Sequence, residues 1–179
     1  MKQFSSDIDS LTCHSKRLAY LLRHSTLPNK VGWIKVDVAQ KELGVSLLDI
    51  QKIVCEDTKG RFEFSGDKSS VRALYGHSID VDLELIPSSP PTILYHGTAD
   101  KYIERITKEG LKLRKRNYVH LSETTDMAQQ VGARHGTPIV LSVDAKSMVE
   151  DGCKFYKAQR CVWLVDNVPS KYIKVDSNE

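Results

Sequence analysis

Arg23 and His24 stand side by side at the end of an apolar run, Leu18 to Leu22, and are followed by Ser25, Thr26, Leu27 and Pro28. At about 100° per residue, Leu18, Leu21, Leu22 and Ser25 share one side of a helix, so the Arg-His pair flanks that side. One reading is structural: cations in a last turn are favoured by roughly 0.3 to 1 kcal/mol, and Pro28 supplies the stop. The other reading is chemical. Arg72 lies inside the apolar run VRALY, and Arg134 precedes His135 and Gly136 at the end of a later helical stretch. Arg72 either faces solvent on an edge hairpin or joins the other two. Guanidinium groups stay charged and bind phosphate oxygens bidentately, so converging arginines suit a multiply anionic substrate.

The histidines add to this. Four of the six sit in short contexts of one type: GHS at 76 to 78, HGT at 96 to 98, HLS at 120 to 122 and RHG at 134 to 136. Each pairs an imidazole with Gly or a hydroxyl at an expected element end, where side chains and backbone N–H groups can converge on a ligand. Singly, each also reads as a surface or satisfied structural group. None has the helical spacing of a metal pair with an acidic third ligand, so no metal site is expected. Cys13, Cys55, Cys153 and Cys161 are scattered without a CxxC, which argues against a disulfide framework and a structural zinc. GxSxG, GxxxxGK[ST] and GxGxxG are all absent.

Such residues need a frame. The 179 residues, 40% hydrophobic and 27% charged, are ordinary globular composition for one domain or two small lobes. No run of eighteen apolar residues, signal segment or lipidation motif is present, so a soluble, intracellular protein is expected, cytoplasmic or else nuclear. The net charge of +3 is too small to prove a nucleic-acid partner, but Lys101 to Arg116 holds seven Lys or Arg against two Glu. That run reads either as a solvated helix face or as an RNA contact.

Ser10 or Thr12 can cap a helix reaching about Arg23, followed by a short extended piece from Val31 to Val36. Asp37 opens a second helix stopped by Gly44, and Ser46 opens a third. RFEFS at 61 to 65 and SVRALY at 70 to 75 then read as a hairpin, an order that matches a winged-helix module. The Ser/Pro cluster at 87 to 91 is the best boundary in the chain. Beyond it TILYHGT and YVHLSE read as strands meeting turns, DKYIERITKEGL as a helix ended by Gly110, TTDMAQQVGARHG as a capped helix and PIVLSVDA as a buried strand. KFYKAQRCVWLVD and YIKV complete a mixed, strand-rich lobe.

Taken together, LLRH at 21 to 24, RF at 61 and 62, VRALYGHS at 71 to 78, LYHGT at 94 to 98, GLK at 110 to 112, RNYVHLSET at 116 to 124, VGARHGTPIVL at 131 to 141 and VWLVDNVPSKYI at 162 to 173 closely resemble the RNA 2′-phosphotransferase family, which includes the tRNA 2′-phosphotransferases. The likeness covers nearly the whole chain in order. It implies an α+β protein: a winged-helix, RNA-binding lobe over 1–86, a linker over 87–91, and an ADP-ribosyltransferase-like, NAD-binding lobe over 92–179, with the active site in the cleft between them. It also implies NAD as co-substrate and an RNA bearing an internal 2′-phosphate, of tRNA splice-junction type, as partner. A monomer is expected.

The implied reaction has two steps. The 2′-phosphate attacks the anomeric carbon of the nicotinamide ribose and expels nicotinamide. The ribose 2-hydroxyl of the ADP-ribosylated RNA then attacks that phosphate, releasing RNA and ADP-ribose 1″,2″-cyclic phosphate. The phosphate is its own nucleophile, so the protein needs cationic clamps and a proton donor rather than a strong base. By the same resemblance Arg23, His24, Arg72 and Arg134 form the catalytic set, with His24 protonating the departing 2′-oxygen. His96, Gly97 and Thr98 form the first NAD-binding element, Gly97 facing the nicotinamide amide, and His120 and Ser122 form the second. Arg160 and Cys161 replace the Asn-Gly that often precedes VWL, which leaves the third element unassigned, and Leu74 and Tyr75 replace a more usual polar pair. Two other functions fit parts of the pattern. ADP-ribosyl transfer to a protein, or to a nucleic-acid terminal phosphate, keeps the fold, although QRCVWLVD lacks the Glu that many protein-modifying relatives carry. A noncatalytic winged-helix nucleic-acid binder leaves HGT, HLS and RHG without a role.

Overall fold

A computed structural model describes residues 2–159 and 161–175. The chain divides into two compact units, Met1–Glu84 and Leu85–Glu179. Together they make an α+β protein with two antiparallel sheets.

In the first unit α1 (Lys2–His24) starts upstream of Ser10 and Thr12, so neither residue caps it. Hydroxyl residues cost a helix interior only a few tenths of a kcal/mol, and a longer helix absorbs them. The far end stops as the sequence suggests: the Ser25 hydroxyl donates back to the Leu21 carbonyl at 2.6 Å and accepts from the Leu27 amide at 3.2 Å. Then come β1 (Trp33–Lys35), α2 (Val36–Leu43) and α3 (Leu47–Cys55). Gly44 closes α2 in the left-handed region, at φ 68°, and Ser46 with Asp49 forms a full capping box on α3. Strands β2 (Phe62–Phe64) and β3 (Ser70–Ala73) complete a three-stranded sheet in the order β1-β3-β2. Leu18 and Leu22 of α1 and Ile50 of α3 form one core with Val71 of β3, all fully buried. The alternation of a strand then sends Arg72 to the opposite face of the sheet.

The second unit is a six-stranded antiparallel sheet. Its strands are β4 (Ile93–Ala99), β5 (Val119–Ser122), β6 (Pro138–Asp144), β7 (Tyr156–Gln159), β8 (Val162–Val165) and β9 (Ile173–Val175), in the order β7-β8-β5-β4-β6-β9. Helix α4 (Ile103–Glu109) follows a 3₁₀ turn and ends at Gly110, α5 (Thr125–Gly132) is capped by Thr124, and α6 (Ala145–Glu150) is capped by Asp144. Sequence reading missed α6, because Asp144 ends the strand and caps the helix within one residue. Residues 87 and 88 are already tied to this unit, through a bridge from Pro87 to Tyr156 and the Ser88 amide on the Phe155 carbonyl.

HGT does not sit at a turn. Strand β4 continues through it to Ala99, because β6 pairs with every residue from Ile93 to Ala99. A Cβ on Gly97 would lie 1.6 Å from the Ala128 carbonyl oxygen, and one on Gly132 would lie 2.5 Å from the Thr98 carbonyl oxygen. Two glycines therefore let α5 lie directly on β4, and Gly97 is first a packing residue.

Candidate active site

In the first unit the LRH end of α1 meets the segment that leaves β3. The Ser78 amide donates to the Arg23 carbonyl at 3.0 Å, and His24 Nδ1 lies 2.8 Å from Ser78 Oγ. The Arg23 guanidinium rests over the Tyr75 ring at 5.0 Å from its centroid. Gly76, at φ 89°, leaves the space beside it: a Cβ there would stand 3.2 Å from Arg23 Cζ. Thus the backbone of GHS fixes the helix end, while Tyr75 supplies an aromatic face that attracts a cation without neutralising it.

Arg72 is not on an edge. Its strand is the central one, and it is flanked in register by Trp33 on β1 and Glu63 on β2. The guanidinium lies 4.5 Å from the Trp33 ring centroid, and Nε donates to Glu63 Oε1 at 2.5 Å. The remaining motif arginine of this unit, Arg61, binds Asp57 at 2.7 Å and Ser15 at 2.9 Å, a tie between α1 and the loop before β2.

His77 is enclosed by these groups. It is 2% exposed, and neither ring nitrogen has a hydrogen-bond partner among the described residues. Burial first, then the positive charges of Arg23, His24 and Arg72, push it down to about 4, so it is neutral at physiological pH. Three of the four residues assigned by motif to catalysis therefore act on one buried imidazole within a single unit. The cluster is strongly cationic, with Glu63 as the carboxylate bound to one of its arginines.

In the second unit the sheet parts. Strands β4 and β5 pair only at Tyr95 and Ser122, whereas β4 pairs along its whole length with β6 and β5 with β8. His96 bridges the opening, its Nδ1 3.0 Å from the His120 carbonyl oxygen, and His120 Nδ1 lies 3.0 Å from the Tyr118 carbonyl oxygen. Burial holds His96 below the ordinary histidine range, despite the opposing effect of the His120 carbonyl; the charge of His135 lowers it further. Thr98 is buried and Ser122 half-buried. Of the residues assigned by motif to NAD, Gly97 and Thr98 lie on one edge of the split with His96, and His120 and Ser122 on the other. These groups are imidazoles, hydroxyls and main-chain groups with no carboxylate among them, and they fit a carboxamide and ribose hydroxyls. Arg134 lies in the exposed turn after α5, where its amide bonds the Val131 carbonyl at 3.3 Å. Arg160, at the unassigned third element, lies outside the described residues. Cys161, beside it, accepts the Glu123 amide at 3.1 Å through its carbonyl.

The model of the family described as RNA 2′-phosphotransferase, Tpt1 / KptA matches residues 9–167. The chain belongs to that family. Its relatives include a protein of Hahella chejuensis, 41% identical over 92% of this chain and 94% of the relative, and one of Agrobacterium fabrum, 42% identical over 93% and 95%. A third, from Fusobacterium nucleatum, is 44% identical over 82% and 85%. All three are named as probable RNA 2′-phosphotransferases.

The motifs behind the family resemblance contain Arg23, His24 and Arg72 together with Tyr75, His77 and Ser78, but do not say which of them hold which. Trp33 and Glu63 lie in none of the motifs and carry no spacing signal of their own. Among the described residues no group of His, Cys, Asp and Glu could hold a metal, and no helix is long and apolar enough to cross a membrane.

Proposed function

We propose that this protein is an NAD-dependent RNA 2′-phosphotransferase that removes an internal 2′-phosphate from RNA, with a tRNA splice junction as the type substrate. The observation that carries the reading is the cationic end of α1, where Arg23 lies over Tyr75 and His24 is held by Ser78, on either side of buried His77 in the sequence, in a chain that matches the family from residue 9 to 167. Residues 1–86 act as a winged-helix lobe and 92–179 as an ADP-ribosyltransferase-like lobe, with 87–91 as linker.

NAD, the co-substrate, supplies the ribose carbon that accepts the phosphate and the nicotinamide that leaves. Arg23 and Arg72, with Arg134, neutralise the phosphate as charge builds on it. Aromatic faces under Arg23 and Arg72 leave both guanidiniums positive and fix their planes, which pre-pays the ordering a phosphate clamp needs. A dianion competes with Glu63 for Arg72, since a phosphate offers more charge than one half-exposed carboxylate. His24, held at Nδ1 by Ser78, donates the proton to the departing 2′-oxygen. In the second unit His96, Gly97 and Thr98 bind the nicotinamide end of NAD, and His120 and Ser122 the adjoining ribose.

The test is incubation with NAD and a short RNA carrying one internal 2′-phosphate, with analysis of both RNA and nucleotide products. Dephosphorylated RNA with ADP-ribose 1″,2″-cyclic phosphate is expected. A lasting ADP-ribosylated RNA instead would identify an ADP-ribosyltransferase, and retention of RNA without NAD turnover a noncatalytic binder.

A further inference from the structure

The stripe of α1 that leads to His24 carries an aromatic residue with no part in the core. Lys16, Tyr20 and His24 are four residues apart, so they form one row on the helix surface. Leu18, Ala19 and Leu22 occupy the buried side. Tyr20 is 67% exposed, and its ring leans on the His24 ring with centroids 5.4 Å apart. Beside it a groove of about 350 Å³ is lined by Lys16, Arg17, Tyr20, Leu21, Glu42 and Leu43. Arg17 is anchored there by the carbonyls of Leu43, at 3.2 Å, and Glu42, at 3.3 Å, which places its charge at the C-terminal end of α2.

We propose that this groove is a nucleobase subsite, in which Tyr20 stacks on a base adjoining the RNA 2′-phosphate. The inference rests on His24 contacting that phosphate, as in the function proposed above. A phosphate held by His24 brings its own nucleotide and the next one along, so their bases lie close to the end of α1. The Tyr20 ring stands beside the His24 ring, exposed, with an apolar floor from Leu21 and Leu43. Lys16 and Arg17 put two positive charges against Glu42, the balance an RNA backbone favours. An aromatic face accepts every base, so the subsite gives affinity and register without reading sequence.

The test is a cycle between Tyr20 and the base. Three RNAs are compared: one with the 2′-phosphorylated nucleotide and its 3′ neighbour intact, and two abasic at one or the other position. For the wild-type protein one abasic RNA should raise KM about 5- to 100-fold, with kcat little changed. Tyr20→Ala should raise KM by a similar factor on intact RNA and lose sensitivity to the abasic change, whereas Tyr20→Phe should restore it. Equal sensitivity of wild type and Tyr20→Ala to both abasic RNAs would overturn the proposal. So would a fall in kcat alike on all three, which marks Tyr20 as a mere support for His24. The same cycle is read without NAD by fluorescence anisotropy of the RNAs. If wild-type turnover were absent while the binding cycle held, the proposed reaction would fail and the subsite would stand.

Discussion

The two units prepare for ligands in opposite ways. In the first, the site consists of side chains: guanidiniums laid over the Tyr75 and Trp33 rings, and a histidine anchored to Ser78, around a buried neutral imidazole. In the second, backbone sets the frame for His96, Thr98, His120 and Ser122: two strands that part at Tyr95 and Ser122, a histidine bridging them to a carbonyl, and two glycines that seat α5 on β4. The difference matches what each is proposed to hold. A phosphate is met by full charges, which Arg23 and Arg72 carry in planes fixed by aromatic rings, Arg72 while paired with Glu63. A neutral carboxamide needs donors and acceptors at fixed positions, which a split sheet offers for little entropy. Substitutions should therefore cost chemistry in the first unit and folding in the second.

The largest effect is expected at the helix end. Arg23→Ala and His24→Ala should each lower phosphate release by about a thousandfold, within the range for loss of a transition-state donor, with circular dichroism and melting temperature close to wild type. Near-normal turnover in either variant would remove that residue from the catalytic set. Accumulation of ADP-ribosylated RNA in one of them would place its work in the second step.

Gly97 should respond in the opposite sense. Gly97→Val drives a side chain into the Ala128 carbonyl, a clash between strand and helix backbones that no rotamer relieves. A loss of about 3 kcal/mol or more in urea unfolding is expected. Unfolding at the wild-type midpoint would show that α5 does not need to lie on β4 as closely as it does.

The smallest effect concerns His77. Its value when folded, about 4, lies below the unfolded one near 6.5, so between these the unfolded chain binds more protons. Stability should therefore hold above about pH 6.5 and decline on acidification toward 4. His96, lowered in the same direction, adds to the slope. Replacing His77 with Phe should flatten part of that decline in a series of melts from pH 4 to 8. An unchanged slope would mean that His77 is not held neutral by its surroundings.

Local signals were legible. Gly44, Ser46 and Thr124 bound their helices as turn and cap chemistry predicts, and the hairpin around Asp67 fell where alternation gave way to turn residues. Ser10 and Thr12 misled, since a hydroxyl residue caps a helix only if the chain upstream leaves it. HGT misled as well: a Gly between polar residues reads as a turn, whereas here it marks the close approach of a helix 31 residues downstream, at Ala128.

What the sequence determined by itself was the family, through motifs in fixed order, and with it the residue types of a cationic site: arginines and histidines carry their charge and hydrogen-bond capacity wherever they lie. What only the tertiary structure decided was the state of those residues. Whether Arg72 faces solvent or stands between Trp33 and Glu63 depends on which strand is central, a matter of pairing between segments far apart in the chain. Whether His77 is charged depends on burial beside Arg23, His24 and Arg72, which come from two elements that meet only in the folded unit. Residue type is local and fixed by covalent chemistry; environment is a sum over neighbours, and the fold chooses the neighbours.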